Sequence, residues 1–487
     1  MFAFDLLAER ARITPDRLAL VSVETGERLT YAQFDHRAAL AASAILETGL
    51  QPGDRLGLLA QNSLDFVAFF FGALKAGVIV VPLSTRATTH ELSNIAADCA
   101  MKVLFHDDAS AKVSSELAEL NRLKLVSLSA RGSAPLAAHH HDPQATACLL
   151  YTSGTTGKPK GVMIPHRQLV WNGYNTAVNW GLREDDVSPI FTPLYHAGGL
   201  AAFLIPIFCV GGTIVVHRSF DPAEIWATLE RERCTVVLGV PTIWKILLEA
   251  PESKSAKLGH VRWFASGGAP LPTFLIDAYR ERGVTLKQGY GLTEVGVNCF
   301  TMTVEDAHTR QGSIGRPVMF TEIRLADENG NEVATGEIGE MWIRGPHVSN
   351  GYWNNPAATA EAYVEGGWFR TGDLARRDSD GFFYIAGRRK DMFISGGVNV
   401  YPAEVEAELV QHPGVRDAAV IGVPDPKWGE VGAAFVVANN VGVSDLEAFL
   451  AGRLARYKVP RTFVFIDSLP RTPYGKVLKE ELRKQLG

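Results

Sequence analysis

The chain has 487 residues, of which 46% are hydrophobic and 21% are charged, and this balance is typical of globular proteins and excludes bulk disorder. Its 48 Lys and Arg residues against 53 Asp and Glu residues leave a net charge of −5, which gives no support for a nucleic-acid-binding surface. Single cores stop growing near ~250–300 residues, so we expect one large domain and at least one smaller domain.

The cysteines and the apolar segments indicate where the protein works. The five cysteines are scattered and include no CxxC pair, which argues against a disulfide framework and against a zinc site. The first twenty residues lack the apolar core of a signal peptide, and the most apolar stretches are interrupted by Lys, Gly or Pro. We therefore expect a cytoplasmic protein without integral membrane association.

Helices and buried strands alternate along the first part of the sequence. Residues 65–76 are apolar at helical spacing and end at Gly77, and residues 78–81 form a β-branched run. The same alternation predicts a helix at 222–233 and strands at 235–240 and 261–265, the last of these before Gly267 and Gly268. Continuous apolar strands between helices predict α/β layers with parallel strands.

The pattern changes after about residue 380. A strand at 381–385 precedes a charged run, Arg388-Arg389-Lys390-Asp391. Beyond this run the sequence predicts helices at 402–410 and 446–455 and strands at 418–423 and 433–437. We therefore predict a large multi-layered α/β domain of residues 1–387 and a small α+β domain of residues 388–487, divided where few contacts need to cross.

A loop rich in hydrogen-bond donors follows the apolar strand 147–151. It reads Tyr151-Thr-Ser-Gly-Thr-Thr-Gly-Lys-Pro-Lys-Gly161, and its candidate phosphate-binding residues are Thr152, Ser153, Gly154, Thr155, Thr156, Gly157 and Lys160. Glycines let backbone N–H groups approach an anion, and hydroxyl and ammonium groups add donors. The spacing is not that of a Walker A loop. The alternative, a flexible surface turn, gives no reason for so many donors.

A second segment suits a nucleotide and a metal ion. It follows strand 284–287 and supplies Gln288, Gly289, Tyr290, Gly291, Thr293 and Glu294. A tyrosine ring offers a flat face for a purine, and oxygen ligands suit Mg²⁺. In Trp368-Phe-Arg-Thr-Gly-Asp373, the carboxylate can accept a hydrogen bond from each of two vicinal hydroxyls, as on a ribose. The alternatives are a capped helix start at Thr293 and a plain turn at Asp373.

In order along the chain, these segments resemble the motifs of the adenylate-forming superfamily, which contains acyl-CoA synthetases, peptide-synthetase adenylation domains and luciferases. The overall pattern is most similar to bacterial feruloyl-CoA and fatty-acyl-CoA synthetases. The resemblance implies ATP, Mg²⁺ and coenzyme A as cofactors and co-substrates. It also implies that Tyr290 packs on adenine, Thr293 contacts the α-phosphate, Glu294 holds the metal and Asp373 binds the ribose.

The resemblance assigns further roles near the predicted domain boundary. Arg388 would contact the nucleotide, as would Gly267, Gly268 and Lys476, and Lys390 would be the hinge of a mobile C-terminal domain. Gly396 and Gly397 would line the channel for coenzyme A. Lys476, in Pro470-Arg-Thr-Pro-Tyr-Gly-Lys476, matches the catalytic lysine, although Tyr474 stands where Thr or Ser is common. The implied catalytic residues are Thr155, His196, Glu294 and Lys476.

The segment Thr192-Pro-Leu-Tyr-His196 resembles the family motif beside the acyl pocket, where His196 would gate between acid and thiol; a structural histidine is the alternative. The candidate pocket residues are His196, Gly199, Val295 and Val297, within wall segments 171–178, 196–204, 243–247, 267–268 and 295–299. These walls are apolar apart from Lys245, so we predict an apolar acid, either aryl or a medium-chain to long-chain fatty acid.

We therefore predict an ATP-dependent ligase that forms an acyl-adenylate and transfers the acyl group to coenzyme A. An adenylation enzyme that loads a carrier protein in trans is one alternative, although no carrier-like segment follows Lys476. A nucleotide-binding regulator without catalysis is another, although the positions of Glu294, Asp373 and Lys476 are intact. His139-His140-His141 is interpreted as a solvated loop, and the oligomeric state, a homodimer included, stays open.

Overall fold

The computed structural model of the chain describes residues 5–137, 141–152, 159–471 and 477–486. It has the predicted mixed α/β architecture, with a large N-terminal part and a smaller C-terminal part. Within the described ranges, no helix is both long enough and apolar enough to cross a membrane.

The first third of the chain builds a six-stranded sheet covered by helices. The strands of this part are Leu18–Ser22 (β1), Arg28–Thr30 (β2), Arg55–Leu59 (β3), Ile79–Pro82 (β4), Val103–His106 (β5), Lys124–Ser127 (β6), Thr146–Thr152 (β7) and Lys160–Pro165 (β8), of which β3 to β8 form the six-stranded sheet. Its helices are Leu6–Ile13 (α1), Tyr31–Glu47 (α2), Leu64–Ala76 (α3), Thr89–Asp98 (α4), Ala111–Asn121 (α5) and His166–Asn179 (α6). The sheet order is β6-β5-β3-β4-β7-β8, and all pairs are parallel except β7 with β8.

Helix α3 shows how local sequence sets an element's end. The helix was predicted at 65–76 and is observed at Leu64–Ala76. Gly77 ends it in the left-handed conformation, with φ of 67°, which glycine adopts without the steric cost that a Cβ brings. Lys75 is almost fully buried in this helix and pairs with Asp5 and Asp35 at 2.6 and 2.5 Å.

The middle of the chain adds a four-stranded sheet, β2-β1-β10-β9, and a parallel three-stranded sheet, β11-β12-β13. The new strands are Val187–Ile190 (β9), Thr213–Val216 (β10), Val236–Gly239 (β11), Trp263–Ser266 (β12), Leu286–Gln288 (β13), Phe300–Thr301 (β14) and Arg316–Pro317 (β15). The helices are Ala197–Gly199 (α7), Ile205–Val210 (α8), Pro222–Arg231 (α9), Pro241–Glu249 (α10), Thr273–Glu281 (α11) and Val304–Thr309 (α12). The predicted parallel strands are confirmed here.

An antiparallel sheet leads toward the C-terminal part. It contains Glu322–Ala326 (β16), Ile338–Arg344 (β17), Tyr363–Val364 (β18), Trp368–Arg377 (β19) and Phe383–Arg388 (β20), with helix Pro356–Ala362 (α13) beside it. Strand β20 pairs with β19, and in their register Asp373 stands opposite Arg388. Arg388, the first residue of the predicted second domain, therefore still belongs to this sheet.

The C-terminal part has its own sheet, in the order β22-β21-β24-β23 with β25 parallel to β24. Its elements are Phe393–Ser395 (β21), Val398–Val400 (β22), Pro402–Leu409 (α14), Val415–Asp425 (β23), Gly429–Ala438 (β24), Val443–Ala451 (α15), Thr462–Phe465 (β25) and Lys479–Arg483 (α16). Helix α15 ends earlier than the predicted residue 455, because Gly452 is a poor helix former.

The apolar cores divide at the same place. In the described part of the chain, the core clusters of the N-terminal part extend no further than Ile385, and those of the C-terminal part start at Phe393. The predicted boundary between residues 387 and 388 falls in this gap between the cores. The two-domain division stays a prediction.

Candidate active site

A cavity of about 940 Å³ lies where three adjacent parallel strands end. Strands β11, β12 and β13 end at Gly239, Ser266 and Gln288, and the residues that follow each strand line the cavity. The carboxyl ends of parallel strands are where α/β proteins commonly bind ligands. The predicted residues on its lining are Thr152, Lys160, His196, Gly267, Gly268, Gly289, Tyr290, Gly291, Thr293, Glu294, Val297, Arg388 and Lys390.

Tyr290, Asp373 and Arg388 form a hydrogen-bonded group on one side of the cavity. The hydroxyl of Tyr290 donates to Asp373 Oδ2 at 2.5 Å, and Arg388 Nε lies 3.1 Å from Asp373 Oδ1. Burial raises the pKa of Tyr290 well above its ordinary value, and the neighbouring Asp373 carboxylate adds to the effect. The hydroxyl therefore stays protonated, and the register of β19 with β20 fixes Arg388 beside the carboxylate.

Glu294, Tyr352 and Lys160 form a second group. Tyr352 donates its hydroxyl hydrogen to Glu294 Oε1 at 2.9 Å, and Lys160 Nζ lies 5.0 Å from the centre of the Tyr352 ring. Burial raises the pKa of Glu294, while its hydrogen bonds, including that from Tyr352, oppose the rise. The aromatic face attracts the ammonium group, so one side chain contacts both an acidic and a basic residue of the site.

The segment around Tyr352 connects this group to strand β8, which follows the predicted phosphate-binding loop. Ser349 N donates to the backbone oxygen of Glu294 at 2.8 Å, and Trp353 N donates to the backbone oxygen of Gly161 at 2.8 Å. Tyr352 and Val162 form a β-bridge. Backbone hydrogen bonds therefore hold Glu294 and the start of β8 at a fixed separation.

The donor set of this group suits a metal ion that arrives with phosphate. Among the described residues, no cluster of three or more His, Cys, Asp or Glu side chains could hold a metal by itself. Mg²⁺ usually binds one or two carboxylates together with phosphate oxygens and water, instead of an all-protein cage. Glu294 offers one carboxylate on the cavity wall, so its surroundings fit a magnesium ion carried by a nucleotide.

His196 lies on another part of the lining, next to the start of α7. Burial, with a smaller contribution from the Arg86 guanidinium, lowers its pKa to about 4. The imidazole is therefore neutral at pH 7. It is packed at an angle against the Tyr195 ring, with ring centres 4.9 Å apart.

Several residues of the cavity lining were missed from the sequence, among them Glu340, Trp180 and Tyr352. Glu340, on β17, is buried and pairs with Arg370 at 2.9 Å and with Arg389 at 3.1 Å. It thus connects the antiparallel sheet to the turn that contains Lys390. The sequence signal that could have identified Glu340 is a glutamate among the mostly apolar residues of β17. Trp180 and Tyr352 had no chemical pattern that marked them.

The acyl wall differs in part from its prediction. Segments 171–178 and 243–247 are not on the cavity lining, and Trp180, just after α6, is on it. Gly199 and Val295 are buried behind the lining, where neighbours Ala197, Gly198 and Val297 face the cavity instead. A Cβ at position 199 would lie 2.3 Å from the Pro193 oxygen, so close packing explains this glycine.

The remaining predicted residues lie elsewhere or outside the described ranges. Gln288 is buried at the end of β13, and its Oε1 has no hydrogen-bond partner in the described chain. Gly396 and Gly397 form the exposed turn between β21 and β22 with φ of 60° and 81°, away from the cavity lining. The predicted site residues outside the described part of the chain are Ser153, Gly154, Thr155, Thr156, Gly157 and Lys476.

Comparisons with known proteins cover nearly the whole chain. The sequence profile of the AMP-binding enzymes matches residues 7–353, and that of the AMP-binding enzyme C-terminal domain matches residues 404–476. The chain is 41% identical over 485 residues to a feruloyl-CoA synthase of an Amycolatopsis species, covering 98% of each chain. It is 37% identical over 501 residues to the long-chain-fatty-acid–CoA ligase FadD13 of Mycobacterium tuberculosis, covering 99% of this chain and 97% of the relative.

Solved structures give the same result. The ATP-bound MatB of Rhodopseudomonas palustris superposes with a TM-score of 0.92 at 32% sequence identity, covering 100% of this chain and 99% of that one. The agreement extends over both the N-terminal and the C-terminal parts, so the fold is shared as a whole.

Proposed function

We propose a specific reaction for this chain, which belongs to the AMP-binding enzyme family and is an AMP-forming acyl-CoA synthetase. It activates an apolar carboxylic acid with ATP as an acyl-adenylate, releasing pyrophosphate, and then transfers the acyl group to coenzyme A, releasing AMP. The observation that carries the proposal is the meeting of the Tyr290–Asp373–Arg388 group and the Glu294–Tyr352–Lys160 group in one cavity.

The first group is the proposed nucleoside subsite. The Tyr290 ring supplies a flat face for adenine, beside the close-approach positions Gly289 and Gly291. Asp373 accepts hydrogen bonds from two ribose hydroxyls, because a carboxylate has acceptor positions beyond those used by Tyr290 and Arg388. Arg388 holds the orientation of the Asp373 carboxylate through their 3.1 Å contact.

The second group is the proposed phosphate and metal subsite. Glu294 would hold the Mg²⁺ that accompanies ATP, with Thr293 near the α-phosphate. When bound, the ion would offset negative charge on the phosphate oxygens. Lys160 adds a fixed positive charge at the start of β8, and the loop residues Ser153, Gly154, Thr155, Thr156 and Gly157 are proposed to add further donors.

The acid is proposed to bind beyond His196. The lining there is formed by small and apolar side chains, including Ala202, Leu238, Val240 and Val297. The cationic residues on the cavity lining, Lys160, Arg370, Arg388, Arg389 and Lys390, come from the segments that form the nucleotide subsites and the boundary turn. An apolar acid fits such a wall, and the relatives named for feruloyl-CoA and for long-chain fatty acids leave both aromatic and aliphatic acids open.

The two half-reactions are proposed to use two arrangements of the domains 1–387 and 388–487. Lys476 would face the developing charge while the carboxylate attacks the α-phosphorus, without acting as a base, because a carboxylate is already ionised at neutral pH. Rotation about Lys390 would then withdraw Lys476 and open a route for the thiol past Gly396 and Gly397. Neutral His196 would separate the acid from the incoming thiol.

Purified protein with ATP, Mg²⁺, coenzyme A and a panel of acids tests the proposal. The panel is acetate, octanoate, palmitate, benzoate, 4-coumarate, ferulate and malonate, with AMP and acyl-CoA measured by mass spectrometry. We expect acyl-CoA from an apolar acid, and we expect Lys476→Ala to abolish it. The control Lys484→Ala removes a surface lysine of the same C-terminal segment, paired only with Glu481 at 2.7 Å, and should change nothing.

Other outcomes would favour the other functions. AMP formation without acyl-CoA would indicate a carrier protein as the acceptor. ATP binding without turnover of any acid would indicate a nucleotide-binding regulator.

A further inference from the structure

Trp180 forms part of the cavity wall beside Gly289. Its indole lines the cavity yet is only 3% exposed. The ring edge lies against Gly289, where an added Cβ would be 3.2 Å from Trp180 Cη2. The indole nitrogen donates to the Phe300 backbone oxygen at 3.2 Å, which fixes the orientation of the ring.

The space behind the indole is filled by two further aromatic rings. Trp263 and Phe203 lie with their ring centres 5.6 and 6.2 Å from that of Trp180. Both side chains are almost fully buried, and neither lines the cavity. Trp180 therefore separates the cavity from the apolar core of the N-terminal part.

A buried ammonium group lies behind the same indole. Lys287 is 4% exposed, and its Nζ is 5.3 Å from the centre of the Trp180 ring and 4.7 Å from that of Trp263. It forms no ion pair in the described part of the chain. Burial and the charge of Arg262, opposed by Asp306, lower the pKa of Lys287 to about 8, so the group is still charged at pH 7.

This charge makes the wall harder to open. The two indoles hold Lys287 by cation–π attraction, and the attraction also holds Trp180 in place. An alkyl chain that displaced Trp180 would lie against a buried charge and would remove one of its two aromatic partners. Both changes are unfavourable, because a buried charge needs favourable contacts.

The neighbouring wall is flat. Gly267 and Gly268 present backbone to the cavity: a Cβ at position 267 would meet nothing, and one at position 268 would meet only Val240 Cγ1 at 3.7 Å. Ala202 and Gly289 add little bulk to the lining. A flat wall suits a planar ring better than a long flexible chain, which would lose rotational entropy on binding.

We propose that Trp180 sets the upper length of the acid, and that the site takes compact planar acids with an aromatic ring and excludes long-chain fatty acids. This rests on the proposed function, since it assumes that the cavity binds an acyl-adenylate. Lys287 and Trp263 act on this specificity by holding Trp180 and do not touch the acid.

Stable sulfamoyl analogues of the acyl-adenylate test the wall without requiring turnover. Calorimetry would give the dissociation constants of a cinnamoyl and a hexadecanoyl analogue for the intact protein and its variants. We expect the cinnamoyl analogue to bind at least ~100-fold tighter, since a single methylene too many in an apolar site already weakens binding by about 10–200-fold. Trp180→Ala should reduce this ratio below about tenfold by tightening the hexadecanoyl complex, and Trp180→Ala with Lys287→Met should tighten it further.

The control variants distinguish the effect of Trp180 on the cavity wall from the general effect of removing a tryptophan. Trp171→Ala removes the same side chain from α6, where it packs against Phe320 at 5.1 Å and does not line the cavity, so it should keep the original ratio. If Trp180→Ala does not fold, Trp180→Leu provides the smaller change in the same direction.

Two results would overturn the inference: equal binding of both analogues by the intact protein, or an unchanged ratio in every Trp180 variant. Selective binding of the cinnamoyl analogue with no acyl-CoA from any acid would support the wall and refute the ligase function. Turnover of palmitate as efficient as that of 4-coumarate would support the ligase function and refute the wall.

Discussion

Replacing Tyr352 with phenylalanine removes one hydroxyl group from the proposed metal subsite and leaves the rest of the side chain in place. The lost contact is the 2.9 Å hydrogen bond to Glu294 Oε1. The ring remains, so the attraction to Lys160 across 5.0 Å is retained. The variant therefore tests whether Tyr352 positions the carboxylate for the metal ion.

The size of the effect follows from the geometry. A hydrogen bond to a charged group contributes ~1.5–3 kcal/mol, and water in the cavity can replace part of it, because Glu294 lines that cavity. We expect Tyr352→Phe to weaken the binding free energy of Mg²⁺ in the presence of ATP by ~1–2 kcal/mol, which is an affinity about 5–30-fold lower. Binding of AMP without metal should change less than about twofold, because it does not use Glu294.

The measurement is a titration of Mg²⁺, or of Mn²⁺ followed by electron paramagnetic resonance, at saturating ATP and without acid. Tyr363→Phe is the matched control: its hydroxyl bonds Ser349 Oγ at 2.5 Å and its ring packs against Tyr352, but no bond to Glu294 is lost. The reasoning is refuted if both variants lose metal affinity equally, or if Tyr352→Phe weakens AMP and metal binding by the same factor.

The other predictions concern stability and reactivity. Lys75→Met should destabilise the protein by ~3–5 kcal/mol in denaturant unfolding, since it leaves Asp5 and Asp35 without their buried cation; a loss below ~1 kcal/mol would contradict a buried ion pair. Burial lowers the pKa of His217 from 6.5 to about 4. The stability that the buried neutral imidazole contributes is therefore present above pH 6.5 and is lost as the pH falls toward 4. Between pH 7 and pH 4, the free energy of unfolding of His217→Leu should therefore fall by up to ~3 kcal/mol less than that of the intact chain. The same pH dependence in both proteins would contradict this. Thiol reagents should not label the protein until it unfolds, because all five cysteines are buried and burial raises the pKa of each thiol. Rapid labelling of the native protein would contradict the buried positions of Cys99, Cys148, Cys209, Cys234 and Cys299.

Elements whose ends depend on local residues were predicted closely. Helix α3 and the turn at Gly77 follow from apolar spacing and from one glycine, and α14 begins at Pro402 as predicted. The end of α15 was predicted too late, because the apolar spacing continues beyond Gly452 although the helix does not. Leu454 packs on the C-terminal core from outside the helix, which explains why the pattern continues.

The nucleotide-binding residues were also proposed from local sequence, and their roles stay predictions. Tyr290, Thr293 and Glu294 lie within five residues of one another, and a short segment with that chemistry indicates its ligand without knowledge of the fold. Asp373 and Arg388 were each proposed for the nucleotide from their own motifs. Their direct contact, however, comes from the pairing of β19 with β20.

The sequence alone determined the family, the order of helices and strands, and the residues of the nucleotide motifs, because each of these depends on neighbours along the chain. Only the tertiary structure decided that Tyr352 reaches Glu294 and that Trp180 lines the cavity in front of Lys287. These contacts join residues from distant segments, and they are fixed by how the sheets and α6 pack together. No local pattern of charge or hydrophobicity encodes that packing.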